Sequence, residues 1–143
     1  MNSNIIEKAN LLVNSSDTAY IAVIDENNYP SVSTISSIKT DGIFKAYFST
    51  GISVNKARRI LKNNKASVCY HKDGDNVTMV GKARILTDRD IKHTLWEDWF
   101  INHFPEGKDD PEYCIIELIT ERVSLWVGRE SSEFTIEEAM CFQ

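Results

Sequence analysis

Apolar residues recur along this chain at two periods, and the changes of period mark the element boundaries. Ile5, Ile6, Ala9, Leu12 and Val13 repeat at helical spacing, which predicts a short amphipathic helix over 4–13, ended by Ser15, Ser16 and Asp17. Ala19–Ile24 (AYIAVI) is apolar throughout and reads as a buried strand; Asp25–Tyr29 is a polar turn, and Pro30 opens the next segment. There Ser31, Ser33, Thr34, Ser36 and Ser37 outnumber the apolar Val32, Ile35 and Ile38. A strand of that composition is either exposed or turns its hydroxyls and backbone towards a polar ligand. Thr40-Asp41-Gly42 is a hairpin signal, and Ile43–Phe48 follows as a strand with Ile43, Lys45 and Tyr47 on one face and Phe44, Ala46 and Phe48 on the other. In the helix after it, Ala57, Ile60 and Leu61 share one side, Arg58 and Lys62 share another, and Asn63 and Asn64 end it.

Ala66–His71 is a further strand, Lys72–Asn76 (KDGDN) a tight turn, and Val77–Leu86 the longest strand, with Val77, Met79, Gly81, Ala83 and Ile85 on one face. Thr87 or Asp88 is expected to cap a helix rich in aromatics over about 88–104, followed by a charged loop. Tyr113–Ile119 and Arg122–Val127 read as two strands joined tightly at Thr120-Glu121; the tail, 129–143, is polar and then weakly helical over Thr135–Met140. Strands thus come in hairpin-linked runs with helices inserted between them. This predicts a mainly β fold of six or seven mostly antiparallel strands, a barrel or sandwich, as a single domain over 1–143.

Composition narrows the function classes. A chain of 143 residues is long enough for its own core, and a net charge of −5 argues against a protein that coats nucleic acid. No apolar run approaches the ~20 residues of a membrane span, and the N-terminus lacks the pattern of a signal peptide. Cys69, Cys114 and Cys141 are odd in number and form no CxxC pair, which fits a reducing cytoplasm. His71, His93 and His103 are scattered, without metal-ligand spacing, so no metal site is expected. GxSxG, P-loop and GxGxxG motifs are absent, and no catalytic side chain is assigned. The acidic clusters Asp88–Asp90 and Asp109–Glu112 read as solvated loops and caps.

Two places carry candidate chemistry. Tyr47–Leu61 (YFSTGISVNKARRIL) runs from a strand through a small-residue turn into a helix with Lys56, Arg58 and Arg59 at its start. A helix start offers unpaired N–H groups and a positive dipole end, and Ser49, Thr50, Ser53 and Lys56 add donors and charge suited to a phosphate. The alternative is an ordinary helix with Ser53 as its N-cap. The second place is Trp126. With Val123, Leu125 and Val127 facing the core, Trp126 shares the outer face with Arg122 and Ser124 and needs a cover, either structural or a ring-shaped ligand.

With these residues in place, the chain resembles the pyridoxamine 5′-phosphate oxidase-like family of FMN-binding split β-barrels, in particular its small members of the general stress protein 26 type. The resemblance runs from Ala19 to Arg129 and follows the family's order of elements. YFSTGISVNKARRIL is similar to the strand–turn–SxK–helix signature in which a serine or threonine and a lysine grip the FMN phosphate. It implies that role for Thr50 and Lys56, with Ser49, Ser53 and Asn55 in neighbouring contact positions. Ser33 and Thr34 are implied contacts on the second strand, against which the flavin ring would lie at a homodimer interface. Asn76 falls where the family places an amide near the flavin, and LWVGR at Leu125–Arg129 looks like the stretch whose tryptophan lies at the cofactor, which makes Trp126 a flavin-site candidate reaching across the dimer. Three departures stand out: Val54 stands where the family has the serine of SxK, so Ser53 must substitute or that contact is lost; the family's phosphate-binding arginine on the second strand falls near Ser33, which lessens the charge available; and ESSEFTIEE replaces the segment that holds the vitamin's phosphate. The implied function is an FMN-dependent oxidoreductase acting on a small molecule other than pyridoxine phosphate. The alternatives are a non-catalytic carrier of FMN, deazaflavin or haem, and a stress-response dimer with a vestigial pocket.

Overall fold

The computed structural model describes residues 3–142. The helix α1 (Ser3–Asn14) lays Ile5, Ile6, Ala9, Leu12 and Val13 on the core, as its periodicity predicts. Seven strands form one antiparallel sheet in the order β3-β2-β1-β4-β5-β6-β7, and an added pairing of β3 with β6 closes the first six into a barrel. The strands are β1 (Thr18–Ile24), β2 (Pro30–Asp41), β3 (Lys45–Gly51), β4 (Lys65–Lys72), β5 (Asp75–Leu86), β6 (Tyr113–Val127) and β7 (Glu130–Thr135). The helices α2 (Asn55–Lys62), α3 (Arg89–Thr94) and α4 (Ile136–Met140) complete the described secondary structure, together with two 3-10 turns. No helix among the described residues is long and apolar enough to cross a membrane.

The barrel interior is filled by alternate residues: Ile21 and Val23, Ala46 and Phe48, Val68 and Tyr70, Val77 and Met79, Leu118 and Val123 are all buried. The fold is therefore mainly antiparallel β, as the pattern implied, and of barrel and sandwich it is the barrel, with four differences in detail. Ile43 and Phe44 belong to the turn before β3, where Gly42 adopts φ 52° and Asn10 Oδ1 accepts the Ile43 N–H at 2.9 Å. Thr120-Glu121 is not a turn between two strands but a bulge in one continuous β6: Val80 pairs with Arg122 and Gly81 with Thr120, leaving Glu121 extra. A Cβ at position 81 would run into the Ile119 carbonyl oxygen, so the bulge needs glycine on its partner strand. Residues 130–135, read as tail, pair with β6 as β7, with only Phe134 buried.

The expected helix over 88–104 is the fourth difference. Helix α3 stops at Thr94, Glu97 is extended, and Asp98–Asn102 forms a 3-10 turn. Aromatic packing overrides helical continuity here. Trp96, Phe100 and Phe104 surround Tyr113 at ring distances of 5.3, 5.8 and 5.2 Å, building a second small core outside the barrel. Lys92 lies buried under this cluster, donating to Asp110 O at 3.1 Å, while the Tyr113 hydroxyl donates to Lys92 O at 2.8 Å.

Candidate functional site

The turn between β3 and α2 is set by β3's pairing on both edges. Thr50 faces Cys114 and Gly51 faces Tyr113 across the β3–β6 ladder, so the chain leaves the barrel rim at a fixed place. The helix that follows has no side-chain cap. Its N-cap is Val54, extended at φ −74° and ψ 154°, and Ser53 is not the cap expected from its type. Instead the Ser53 N–H and hydroxyl both donate to Glu112 Oε1, at 2.8 and 2.5 Å. These bonds hold the Glu112 carboxyl below its ordinary pKa.

Ser49, Thr50, Gly51 and Val54 form one wall of a cavity of about 370 Å³, with Ser36 and Glu112 beside them and Trp99, His103 and Phe104 opposite. Trp99 is 44% exposed at the rim, with its ring edge-on to Phe100 at 4.6 Å. Cys114 backs the same turn, its thiol donating to Thr50 O at 3.5 Å. Burial pushes that thiol up to about 12, so it offers no thiolate at neutral pH.

Lys56 points from the first turn of α2 back over β2. Its Nζ donates only to Thr34 O, at 3.4 Å, and it forms no ion pair among the described residues. Half-burial without a counter-charge holds its pKa below the ordinary lysine value. Three residues on, Arg59 extends over the same strand; it donates to Ser31 Oγ at 3.3 Å and is held by Glu26 at 3.0 Å. Ser33 and Thr34 lie exposed on β2 between and beside these two cations. Asn55 accepts a hydrogen bond from Arg58.

The structure thus brings Ser33, Thr34, Ser49, Thr50, Ser53, Asn55 and Lys56 to one end of the barrel, around the β3–α2 turn. It does not bring Asn76 and Trp126 there. Those two pair directly with each other across β5 and β6. β5 lies three strands from β2 by either route round the barrel, a path of about 14 Å across the sheet. Trp126 is 44% exposed, on the same outer face as Tyr20 and Val32. Sequence reasoning missed Glu112, Trp99, His103 and Ser36. Glu112 was grouped with a solvated acidic loop, and its one distinguishing feature, the position immediately before β6, has no motif attached.

The pyridoxamine 5′-phosphate oxidase family description matches residues 5–127. General stress protein 26 of Bacillus subtilis (strain 168) is 26% identical over 132 residues, spanning 80% of this chain and 91% of its own. A solved structure from Clostridium acetobutylicum, described as related to general stress protein 26 and of the pyridoxinephosphate oxidase family, superposes with a TM-score of 0.87. It has 30% identity and coverage of 97% of this chain and 99% of that one. A pyridoxamine 5′-phosphate oxidase-related, FMN binding protein from Nostoc punctiforme PCC 73102 shares the fold, with a TM-score of 0.67, 15% identity and coverage of 93% and 95%.

Proposed function

Because the chain belongs to the pyridoxamine 5′-phosphate oxidase family, we propose that it is an FMN-binding flavoprotein acting as a homodimer on a small molecule. The observation that carries this reading is Lys56: a half-buried ammonium beside an uncapped helix start, with one weak carbonyl contact and no counter-charge. Leaving such a charge unpaired is unfavourable unless an anion completes it. A phosphate monoester fits, because it accepts from Lys56, the Thr50 and Ser49 hydroxyls and the first N–H groups of α2 together. Ser53 and Asn55 flank that position. The isoalloxazine ring would extend along Ser33 and Thr34 of β2. The Nostoc relative, described as FMN binding, supports the same choice of cofactor.

The homodimer is argued from the outer sheet face. Tyr20, Val32 and Trp126 expose 42, 64 and 44% of their surface on the outside of the barrel, large apolar side chains that a partner would cover. Asn76 and Trp126 lie too far from Lys56 to join its site within one chain. A two-fold related copy laid against the barrel would carry its own Asn76 and Trp126 towards β2 of its partner. Bound FMN supplies the electron chemistry; the chain's residues bind it, orient it and exclude water. Pyridoxine phosphate oxidation is not proposed, since 130–143 contains no Lys, Arg or His to hold a second phosphate. Free Cys69, Cys114 and Cys141 fit a cytoplasmic setting.

The test is identification of the ligand that copurifies, with flavin absorbance and mass spectrometry, and the mass of the particle by light scattering. Stoichiometric FMN on a dimer is expected, and NAD(P)H-dependent bleaching would make it an oxidoreductase rather than a carrier. A colourless monomer with no affinity for added FMN overturns the reading.

A further inference from the structure

We propose that Glu112 is the residue that limits how strongly the β3–α2 turn takes a phosphate, by keeping an in-chain carboxylate on donors the ligand would otherwise use. The inference rests on the phosphate site proposed above. Ser53 offers two donors within the turn, its N–H and its hydroxyl, and both are committed to Glu112 Oε1, a carboxylate that itself lines the cavity. The carboxylate is not there by chance rotation. Its own backbone is locked to the turn, with Ile52 N donating to Glu112 O at 2.8 Å, and its N–H donates to Asp110 Oδ1 at 2.9 Å. Gly51 leaves room for it: a Cβ at that position would lie 2.5 Å from Oε1.

No lysine, arginine or histidine pairs with Glu112 among the described residues, so its charge is not neutralised. It lines the same cavity as Ser49 and Thr50. A phosphate entering the turn therefore meets a like charge and must displace that carboxylate from Ser53 to gain its donors. Lys56 supplies the attraction and Glu112 opposes it. The neutral parts of a flavin feel neither term, so Glu112 sets the phosphate's share of the affinity and not the ring's.

Glu112→Gln tests this, because the amide oxygen can still accept from Ser53 while the charge is gone. Inorganic phosphate is titrated into the full-length 15N-labelled protein and followed at the Ser53 amide signal; FMN and riboflavin are titrated in parallel by flavin fluorescence. The variant should bind inorganic phosphate and FMN about tenfold more tightly and riboflavin within about twofold of the wild type. Unchanged or weaker phosphate binding in the variant overturns the proposal, and so does equal tightening for riboflavin and FMN. Tighter inorganic phosphate with no flavin binding in either protein keeps Glu112 in this role and sinks the FMN reading. Strong FMN binding with equal phosphate affinities does the reverse. If a melting curve shows that Glu112→Gln does not fold, the same titrations are made on Glu112→Ala.

Discussion

Lys56→Met tests the proposed phosphate site by removing one charge. Methionine keeps the length and apolar stem of lysine and removes the ammonium. In the ligand-free chain that ammonium reaches Thr34 O at 3.4 Å, and burial holds its pKa below the ordinary value. A depressed lysine pKa means that the charged form weakens the fold. The penalty is present at neutral pH and is relieved only as pH rises through the folded value towards 10.5. Removing the charge should therefore leave the ligand-free protein as stable as before, or slightly more so. Bound to phosphate, the same ammonium makes a charge-assisted hydrogen bond worth about 1–3 kcal/mol, or roughly 5- to 150-fold in Kd.

The measurement is the ratio of FMN to riboflavin affinity in wild type and variant, by fluorescence titration at constant ionic strength, with a thermal melt of each ligand-free protein. The ratio should fall by that factor while the melting temperature holds or rises. An unchanged ratio would remove Lys56 from the phosphate site. A melting temperature that drops by several degrees would show that the ammonium serves the fold instead, since ~1 kcal/mol shifts a domain of this size by a few degrees.

Other substitutions probe the frame around the site. Gly81→Ala drives a Cβ into the Ile119 carbonyl and should cost at least ~2 kcal/mol by urea denaturation; a loss under ~0.5 kcal/mol would mean that the bulge relaxes freely. Arg84 is exposed, but its Nε donates to the buried Glu117 at 2.6 Å. Arg84→Ala strands that carboxylate and should cost about 2 kcal/mol at pH 7, whereas Glu117→Leu, which frees only a solvated guanidinium, should cost less. Burial alone would raise the Glu117 pKa, but the bonds from Arg84 and Tyr47 outweigh it and lower it. The stability it contributes is thus present above 4.5 and lost as pH falls through the folded value. The gap between wild type and Arg84→Ala should narrow below pH 4.5, and a constant gap would assign the loss to packing. Trp126→Ala should raise the dimer dissociation constant at least tenfold by analytical ultracentrifugation; an unchanged constant would leave that ring unused at the interface.

β5 and the second half of β6 were legible because each buries one face, so alternation survives in the sequence: Val77, Met79 and Ala83 inward, Val123, Leu125 and Val127 inward, Trp126 outward. What failed was whatever depends on a partner far along the chain. The bulge at Glu121 exists because Gly81, forty positions earlier, lets β6 come close, and no local signal distinguishes it from a two-residue turn. Residues 130–135 carry too little apolar weight to announce a strand and are ordered by β6's free edge. The break in the aromatic segment follows from Tyr113, which gathers Trp96, Phe100 and Phe104 around one ring. Of the candidate site, the turn and its lysine were readable as a motif, and neither Glu112 beside the turn nor Trp99 and His103 across the cavity was.

Two departures from the local rules for a helix start coincide at α2. The short α4 shows what an obeyed rule looks like. Thr135 accepts from the Glu138 N–H at 3.2 Å, and the Glu138 side chain accepts from the Thr135 N–H at 3.4 Å, a complete capping box on a helix of five residues. The longer α2 has valine at the same position, no cap, three basic residues within its first five positions and no acidic residue in its first turn. Serine is available one residue earlier, yet its donors go to Glu112. Each choice weakens the helix taken alone: an uncapped start costs about 1 kcal/mol, and a cation near the positive dipole end costs a few tenths more. An aspartate at position 54 would repair both faults, and its carboxylate would also occupy the N–H groups and offset the positive charge that an anionic ligand needs. Sequences are otherwise locally consistent with their folds, so faults that coincide at one turn are what the proposed phosphate site predicts there.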